Sequence, residues 1–246
     1  MNDKRNIAII LSAVVVGLSV MFFAIFNNDK KEDTEIDALR FKREYEALND
    51  TIRGSDGAKY NSVTIADDNP FIYIDTKEAL DIIDNKNAII YVGAPWCPWC
   101  RNAVSVIIDV AKEFDVKEVY YLDLDEEKSI WEVKDGKAIK KVNGTETYYQ
   151  LLDKLKDNLR DYTLTDEDGK TLETSEKRIY MPYVMGIKKG RVVAEHTGTV
   201  DLDEEQTKYD YLTEEQKQEL YNSYKNIFEL VYQDAGGSCN KSGECD

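Results

Sequence analysis

The chain has 246 residues, a formal net charge of −16 and 42% hydrophobic residues. This length suits one large domain or one domain with appendages, and the apolar content is sufficient for a packed core. The acidic charge argues against a nucleic-acid partner, because nucleic-acid-binding proteins need a basic surface.

The first predicted element is a membrane span from Ile7 to Phe26. This run has twenty residues without a charge, and basic pairs flank it at Lys4-Arg5 and Lys30-Lys31. At about 1.5 Å per residue, a helix of this length just crosses a hydrocarbon core of about 30 Å. A cleaved signal peptide usually has a shorter apolar region and a small-residue cleavage site. We therefore favour an uncleaved anchor over a cleaved and secreted form. We expect a single-pass protein of the cell membrane, with its domain on the extracytoplasmic side.

The next segment, residues 35–49, has apolar residues at roughly helical spacing, which predicts a stalk helix between the anchor and the domain. A polar stretch from Arg53 to Gly57 ends it. The predicted organisation is an anchor at 1–31, a stalk helix and linker at 32–69, the main domain at 70–235 and a flexible cysteine-containing tail at 236–246.

From Pro70 onward, strand-like and helix-like segments alternate, which predicts an α/β sheet with parallel pairs. The first helix has Thr76 as its expected N-cap. The predicted strands are Phe71–Ile74, Ala88–Val92 and Val119–Leu124, and the predicted helices are Thr76–Asp84 and Asn102–Phe114.

The later elements are marked mainly by turn and capping signals. Asp135-Gly136 predicts a hairpin within Ile130–Val142, and Lys188-Lys189-Gly190 predicts a second one before a final helix that begins at Thr213. Between the two hairpins, a helix is predicted to carry Tyr148, Leu151, Leu152, Leu155, Leu159 and Tyr162 on one side, followed by a turn at Asp168-Gly169.

The segment Trp96-Cys97-Pro98-Trp99-Cys100 carries the chemistry. It lies between a buried-type strand and a helix, so the first cysteine meets the free amides and the positive dipole end of the helix. Both favour the thiolate, which is the attacking species in disulfide exchange. Cys97 and Cys100 are therefore the predicted redox pair.

Two other interpretations of this pair are a structural disulfide and half of a zinc site. A C-x-x-C disulfide at a helix start is a poor choice for stabilisation alone. Zinc requires two further ligands, and the chain has a single histidine, His196, which we interpret as structural. Cys239 and Cys245 have five residues between them, a wide spacing for zinc ligands. We therefore favour redox activity and assign no metal.

The order of elements, the WCPWC segment and the later Met181-Pro182 before a hairpin together resemble the thioredoxin superfamily. More narrowly, the chain resembles the membrane-anchored thioredoxin-like proteins of Gram-positive bacteria. The resemblance covers about residues 70–233. It implies a central mixed sheet flanked by helices, with residues 126–178 forming an enlarged insertion before the proline.

The resemblance also implies roles for individual residues. Cys97 is the nucleophile, Cys100 resolves the mixed disulfide, and the peptide bond between Met181 and Pro182 is cis and shapes the substrate groove. Trp96 adds an apolar docking surface, whereas Pro98 and Trp99 tune the redox potential. No cofactor is implied beyond the Cys97–Cys100 disulfide itself.

The chain departs from the family pattern in two respects. Many thioredoxins have a buried carboxylate six residues before the first cysteine and a lysine near it, where this chain has Tyr91 and Tyr121. Proton transfer from Cys100 then needs water, another carboxylate or a tyrosine hydroxyl. The Pro98-Trp99 dipeptide is closer to glutaredoxin-like proteins than to reducing thioredoxins. Oxidation, reduction and isomerisation therefore all stay open.

Cys239 and Cys245 predict a second disulfide in the tail. A disulfide there closes only a small loop, so one interpretation is a passive staple, which we favour. The other is a relay that exchanges with Cys97 of the same chain at high effective concentration.

The expected function is a thiol–disulfide oxidoreductase that acts on exported proteins or peptides and is recycled by an unidentified redox partner. The rival hypothesis is a non-enzymatic accessory module of the bacteriocin-accessory type. Such a module binds an exported peptide or a transporter, and its cysteines only stabilise the site.

Overall fold

Five strands form a mixed sheet at the centre of the structure, a computed structural model that describes residues 37–233. The helices are α1 (37–46), α2 (Thr76–Asn85), α3 (Pro98–Glu113), α4 (Glu146–Lys154) and α5 (Glu214–Tyr232). The strands are β1 (Phe71–Ile74), β2 (Ala88–Val92), β3 (Val119–Leu122), β4 (Ile130–Lys134), β5 (Lys137–Val142), β6 (Arg160–Thr165), β7 (Thr171–Arg178), β8 (Tyr183–Lys188) and β9 (Arg191–Thr197).

The order of strands in the central sheet is β1-β3-β2-β8-β9. β3 pairs in parallel with both β1 and β2, while β8 pairs antiparallel with β2 and β9. This arrangement confirms the predicted central mixed sheet with flanking helices, and it fits a thioredoxin-like fold.

Every residue of β2 is buried, because helices cover both faces of the sheet at this strand. Ile89 and Tyr91 face the cluster formed with α1, α3 and α5. Ile90 and Val92 face the opposite cluster, formed with α2 and α4. This alternation follows from the two-residue period of a strand, and it directs Tyr91 to the face on which α3 carries the redox pair.

Helix α1 packs in the core, which changes the predicted boundary of the domain. Phe41 and Tyr45 are fully buried in the cluster with α3 and α5, and the Phe41 ring stacks on Phe71 of β1 with 4.0 Å between centroids. The helix is therefore not a separate stalk, and residues 37–69 belong to the domain that was predicted to begin at residue 70.

Two local predictions differ from the structure. Asp75, not Thr76, is the N-cap of α2, because its side chain accepts from the amide of Glu78 while Glu78 accepts from the amide of Asp75. Helix α4 ends at Lys154, so Leu159 lies beyond it and Tyr162 lies on β6, where a strand replaces the predicted last helical turn.

The insertion consists of the hairpin β4–β5, helix α4 and the hairpin β6–β7. Glu176 on β7 joins the two hairpins, since it forms an ion pair with Lys140 of β5 and accepts hydrogen bonds from Ser129 and Trp131. Both hairpins are thus fixed to each other at the edge of the domain.

The predicted membrane span Ile7–Phe26 and the tail cysteines Cys239 and Cys245 lie outside the described residues. Between residues 37 and 233, no helix combines the length and apolar content that a membrane crossing requires.

Candidate functional site

The predicted redox pair, Cys97 and Cys100, lies at the start of α3, directly after the turn that follows β2. Cys97 is the N-cap of the helix, and its sulfur accepts a hydrogen bond of 3.3 Å from the amide of Cys100. Pro98 occupies the first helical turn, where its missing N–H costs nothing. Both thiols are free, and Cys97 is 5% exposed whereas Cys100 is fully buried. We therefore call the Cys97 sulfur the outer one and the Cys100 sulfur the inner one.

The pKa values of the two thiols are shifted in opposite directions. The pKa of Cys97 is lowered, first by a hydrogen bond from the Cys100 thiol and further by the amides of Cys100 and Trp99 and by the charge of Arg53, against the opposing effect of burial. Burial raises the pKa of Cys100 well above the usual thiol range, and the neighbouring Cys97 adds to the rise. The outer sulfur is therefore the better nucleophile and the inner one holds its proton.

The peptide bond between Met181 and Pro182 is cis, as the resemblance implies. The carbonyl oxygen of Met181 lies 3.9 Å from the sulfur of Cys97. Pro182 is buried, and its carbonyl accepts a hydrogen bond of 2.7 Å from the amide of Gly198. The fold therefore places Met181 and Pro182 next to the predicted redox pair, although they are distant from it in the sequence.

The two tryptophans of the motif have different surroundings. Trp96 is 38% exposed, and its indole N–H donates to Asp125 while Lys128 lies 5.1 Å from its ring centroid. Trp99 is half-buried and packs against the core cluster of α3 and α5. Trp96 is thus available for docking, whereas Trp99 contributes mainly to packing.

Tyrosine side chains surround Cys100. The hydroxyl of Tyr91 hydrogen-bonds the Cys100 thiol, which acts on the pKa of that thiol in the direction opposite to burial. Tyr91 in turn shares a hydrogen bond of 2.9 Å with Tyr45 of α1. Tyr121 donates instead to the carbonyl of Gly93, at 3.2 Å. Burial raises the pKa of Tyr91 and Tyr45 well above the usual tyrosine range, so both hydroxyls stay protonated at neutral pH.

Gly93 makes room for this arrangement. A Cβ at position 93 would lie 2.3 Å from the hydroxyl oxygen of Tyr91 and 2.4 Å from the adjacent ring carbon. Since real contacts of a Cβ are longer than 3.0 Å, any side chain at Gly93 displaces Tyr91 from its place beside the inner thiol.

Two arginines contribute to the site and were not predicted from the sequence. Arg101, only 2% exposed, donates to the carbonyls of Asn61, Tyr45 and Pro95 and to the side chain of Asn49. These hydrogen bonds link the segment after α1 to helix α3. Arg53, which comes from the segment predicted as a linker, supplies positive charge that lowers the pKa of Cys97. The one feature of the sequence that could have indicated a role for Arg101 is its position directly after the WCPWC segment.

A pocket of about 210 Å³ opens beside the redox pair. Its lining includes Trp96, which directly precedes Cys97, and Met181, whose carbonyl oxygen lies 3.9 Å from the Cys97 sulfur. Tyr162 and Arg178 of the insertion and Tyr180, just after it, also line the pocket. The insertion therefore contributes to a pocket beside Cys97 and Cys100.

His196 has a structural setting. One ring nitrogen lies 2.7 Å from the carbonyl oxygen of Thr199, and the ring meets Tyr224 edge-on. In the part of the chain that the structure describes, no group of three or more His, Cys, Asp or Glu side chains is arranged to hold a metal ion.

No family model matches the chain, and neither does any curated protein. Among solved structures, the chain is similar to thioredoxin O2 from Arabidopsis thaliana in the oxidized state, with 16% sequence identity and a TM-score of 0.33. The match covers 67% of this chain and 96% of that chain. The fold assignment rests on the strand order and the cis-proline site described above.

Proposed function

We propose that this chain is a membrane-tethered, extracytoplasmic thiol–disulfide oxidoreductase that acts on exported proteins through Cys97 and Cys100. The observation that carries the proposal is the pairing of an outer, 5% exposed sulfur with a lowered pKa and a fully buried sulfur with a raised one, next to a cis-proline. The tether and the location rest on the charge-free run Ile7–Phe26.

The reaction begins when the Cys97 thiolate attacks a substrate disulfide. A new Cys97–substrate disulfide forms, and the other substrate sulfur leaves as a thiolate that takes a proton from solvent. The carbonyl of Met181, 3.9 Å from the Cys97 sulfur, lies where an extended substrate segment pairs with the backbone.

In the second step Cys100 attacks the sulfur of Cys97. The Cys97–Cys100 disulfide forms and the remaining substrate thiolate leaves, taking the proton that Cys100 gives up. Tyr91 keeps its own proton and donates a hydrogen bond to the Cys100 sulfur as negative charge develops there. The Tyr91 hydroxyl thus occupies the position where many thioredoxins have a carboxylate. It acts there as a hydrogen-bond donor and not as a base. The substrate gains two electrons from the Cys97–Cys100 dithiol. A recycling partner of the thiol–disulfide class must then reduce the Cys97–Cys100 disulfide again. The reverse sequence of steps oxidises a substrate dithiol.

Insulin reduction and the oxidation of a reduced protein that normally contains disulfides test this proposal in both directions. We expect Cys97→Ala to abolish turnover in either assay. Activity that survives this substitution would instead support the accessory module, in which the fold binds a peptide or transporter without redox chemistry. A measured reduction potential assigns the preferred direction, since about 30 mV corresponds to a tenfold change in equilibrium constant.

The tail cysteines are tested separately, with Cys239→Ser and Cys245→Ser in the same chain. A passive staple predicts unchanged turnover of a protein disulfide, whereas a relay predicts a slower one. The comparison uses the full chain, because the tail belongs to the same molecule as the redox pair.

A further inference from the structure

We propose that the pocket between Trp96 and the β6–β7 hairpin binds an acidic side chain of the substrate, close to the substrate cysteine. The proposal deepens the proposed function and rests on it for the exchange reaction. It assigns to the insertion a role in substrate selection.

The position of the pocket makes it part of the substrate path. Trp96 directly precedes Cys97, and Met181 contributes both a wall of the pocket and the carbonyl beside the sulfur. An extended polypeptide whose cysteine reacts with Cys97 therefore places a nearby side chain at the mouth of the pocket. The volume of about 210 Å³ is smaller than the roughly 300–1,000 Å³ of pockets for drug-sized ligands, and suits one side chain.

Arg178 gives the pocket its charge. Its guanidinium lies 4.5 Å from the centroid of the Tyr162 ring and donates a hydrogen bond of 2.9 Å to the carbonyl of Ser129. Within residues 37–233, no carboxylate lies within the 4.0 Å of an ion pair with Arg178. Glu176, the acidic residue two positions before it, forms its ion pair with Lys140. Arg178 thus retains N–H donors and an uncompensated charge beside the redox pair.

The other cation of the pocket is already neutralised. Lys128 forms an ion pair with Asp125, which also accepts the indole N–H of Trp96. The pocket therefore carries the net charge of Arg178 alone, on a protein whose formal charge is −16.

The aromatic residues hold Arg178 in place and line the pocket with flat surfaces. Tyr162 and Tyr180 meet edge-on with 6.3 Å between ring centroids, and the Tyr180 hydroxyl donates to the carbonyl of Asp161. A guanidinium stacked on an aromatic ring is pre-organised to hold a carboxylate through two parallel hydrogen bonds. Glutamate and aspartate are the protein side chains whose carboxylates can form these two hydrogen bonds with Arg178.

The test compares disulfide-linked peptides that differ only in Glu or Gln at the positions flanking the reactive cysteine. For the wild-type chain we expect kcat/KM to favour the Glu peptide by about tenfold at the best position, and the preference to shrink at high salt. Arg178→Gln should remove the preference, so that the Glu and Gln peptides react with equal kcat/KM. Arg191→Gln, an exposed arginine on β9 at the far end of the sheet, is the matched control and should keep the preference.

Equal rates for the two peptides in the wild-type chain, or a preference that persists in Arg178→Gln, would overturn the proposal. Circular dichroism checks the fold of the variant. If Arg178→Gln does not fold, the wild-type chain decides, because a preference that salt leaves unchanged contradicts binding by a charge.

A second measurement separates this proposal from the proposed function. In a chain with all four cysteines changed to serine, intrinsic tryptophan fluorescence reports peptide binding without exchange. Tighter binding of the Glu peptide that depends on Arg178 supports the pocket even if the native chain exchanges no disulfide. Disulfide exchange with no Glu preference refutes the pocket alone.

Discussion

The hydroxyl oxygens of Tyr45 and Tyr91 lie 2.9 Å apart, in a part of the core where both side chains are fully buried. Tyr91 comes from the central strand, and Tyr45 from a helix 46 residues earlier. The pair places a neutral hydroxyl donor against the inner thiol, Cys100.

Tyr91→Phe should slow the resolving step by about tenfold. A hydrogen bond to a charged group contributes roughly 1.5–3 kcal/mol, and about 1.4 kcal/mol of barrier corresponds to a factor of ten. The rate is measured in a single turnover, as release of substrate from a preformed Cys97 mixed disulfide. The first attack, followed in a Cys100→Ser background, should be unaffected.

Tyr45→Phe is the matched control for that experiment. It removes the outer hydroxyl and leaves the donor beside Cys100, so the resolving rate should fall less than in Tyr91→Phe. Equal resolving rates in Tyr91→Phe and the wild-type chain would refute the role of the inner hydroxyl.

Gly93→Ala should destabilise the protein by about 1–3 kcal/mol, as expected for an overpacked core, and should also slow the resolving step. The reason is the 2.3 Å contact that its Cβ would make with the Tyr91 hydroxyl. Urea denaturation measures the stability. Gly54→Ala serves as the control, because a Cβ there meets nothing within 4 Å, and a loss of similar size in both variants would contradict this explanation.

Cys100→Ala should raise the pKa of Cys97, since the hydrogen bond from the Cys100 thiol is the largest cause of its lowering. A thiol reacts as the thiolate, so the rate of iodoacetamide alkylation rises with pH, and its midpoint should move to higher pH in the variant. Cys100→Ser keeps a hydroxyl donor and should shift the midpoint less. An unchanged midpoint in Cys100→Ala would count against the hydrogen bond.

Arg53→Gln should also move the alkylation midpoint of Cys97 to higher pH, because the variant lacks a positive charge that favours the thiolate. Arg191→Gln controls for the change in net charge at a distance from the site. Since the effect is electrostatic, the difference between Arg53→Gln and the wild-type chain should decrease as salt is added. Identical shifts in the two variants would show that Arg53 has no specific role.

Phe41→Ala should destabilise the domain by about 3–5 kcal/mol, the usual cost of removing a buried phenylalanine. Leu39→Ala, on the same helix but 39% exposed, should cost less than about 1 kcal/mol. Both values are read from urea denaturation. If Phe41→Ala unfolds at the same urea concentration as the wild-type chain, helix α1 is not part of the cooperative core.

Features of the fold that depend on neighbouring residues could be predicted from the sequence alone. The alternation from Phe71 onward, the hairpin at Asp135-Gly136 and the capping box at Thr213 all appear in the structure, because turn and cap preferences act over a few residues. The position of Cys97 and Cys100 at the start of α3 was also evident, since a strand, a turn and a helix surround them within one short segment.

The distant side chains that surround Cys97 and Cys100 could not be predicted, because tertiary packing selects them. Tyr45, Arg53 and Arg101 are brought together by packing of α1 against α3, and Arg178 approaches Trp96 from the end of the insertion. Residue periodicity shows that a face is apolar but not which partner covers it, so α1 was indistinguishable from a stalk helix. The partners of a buried face are selected by how the complete set of elements fills the core, and that choice involves residues far apart in the chain.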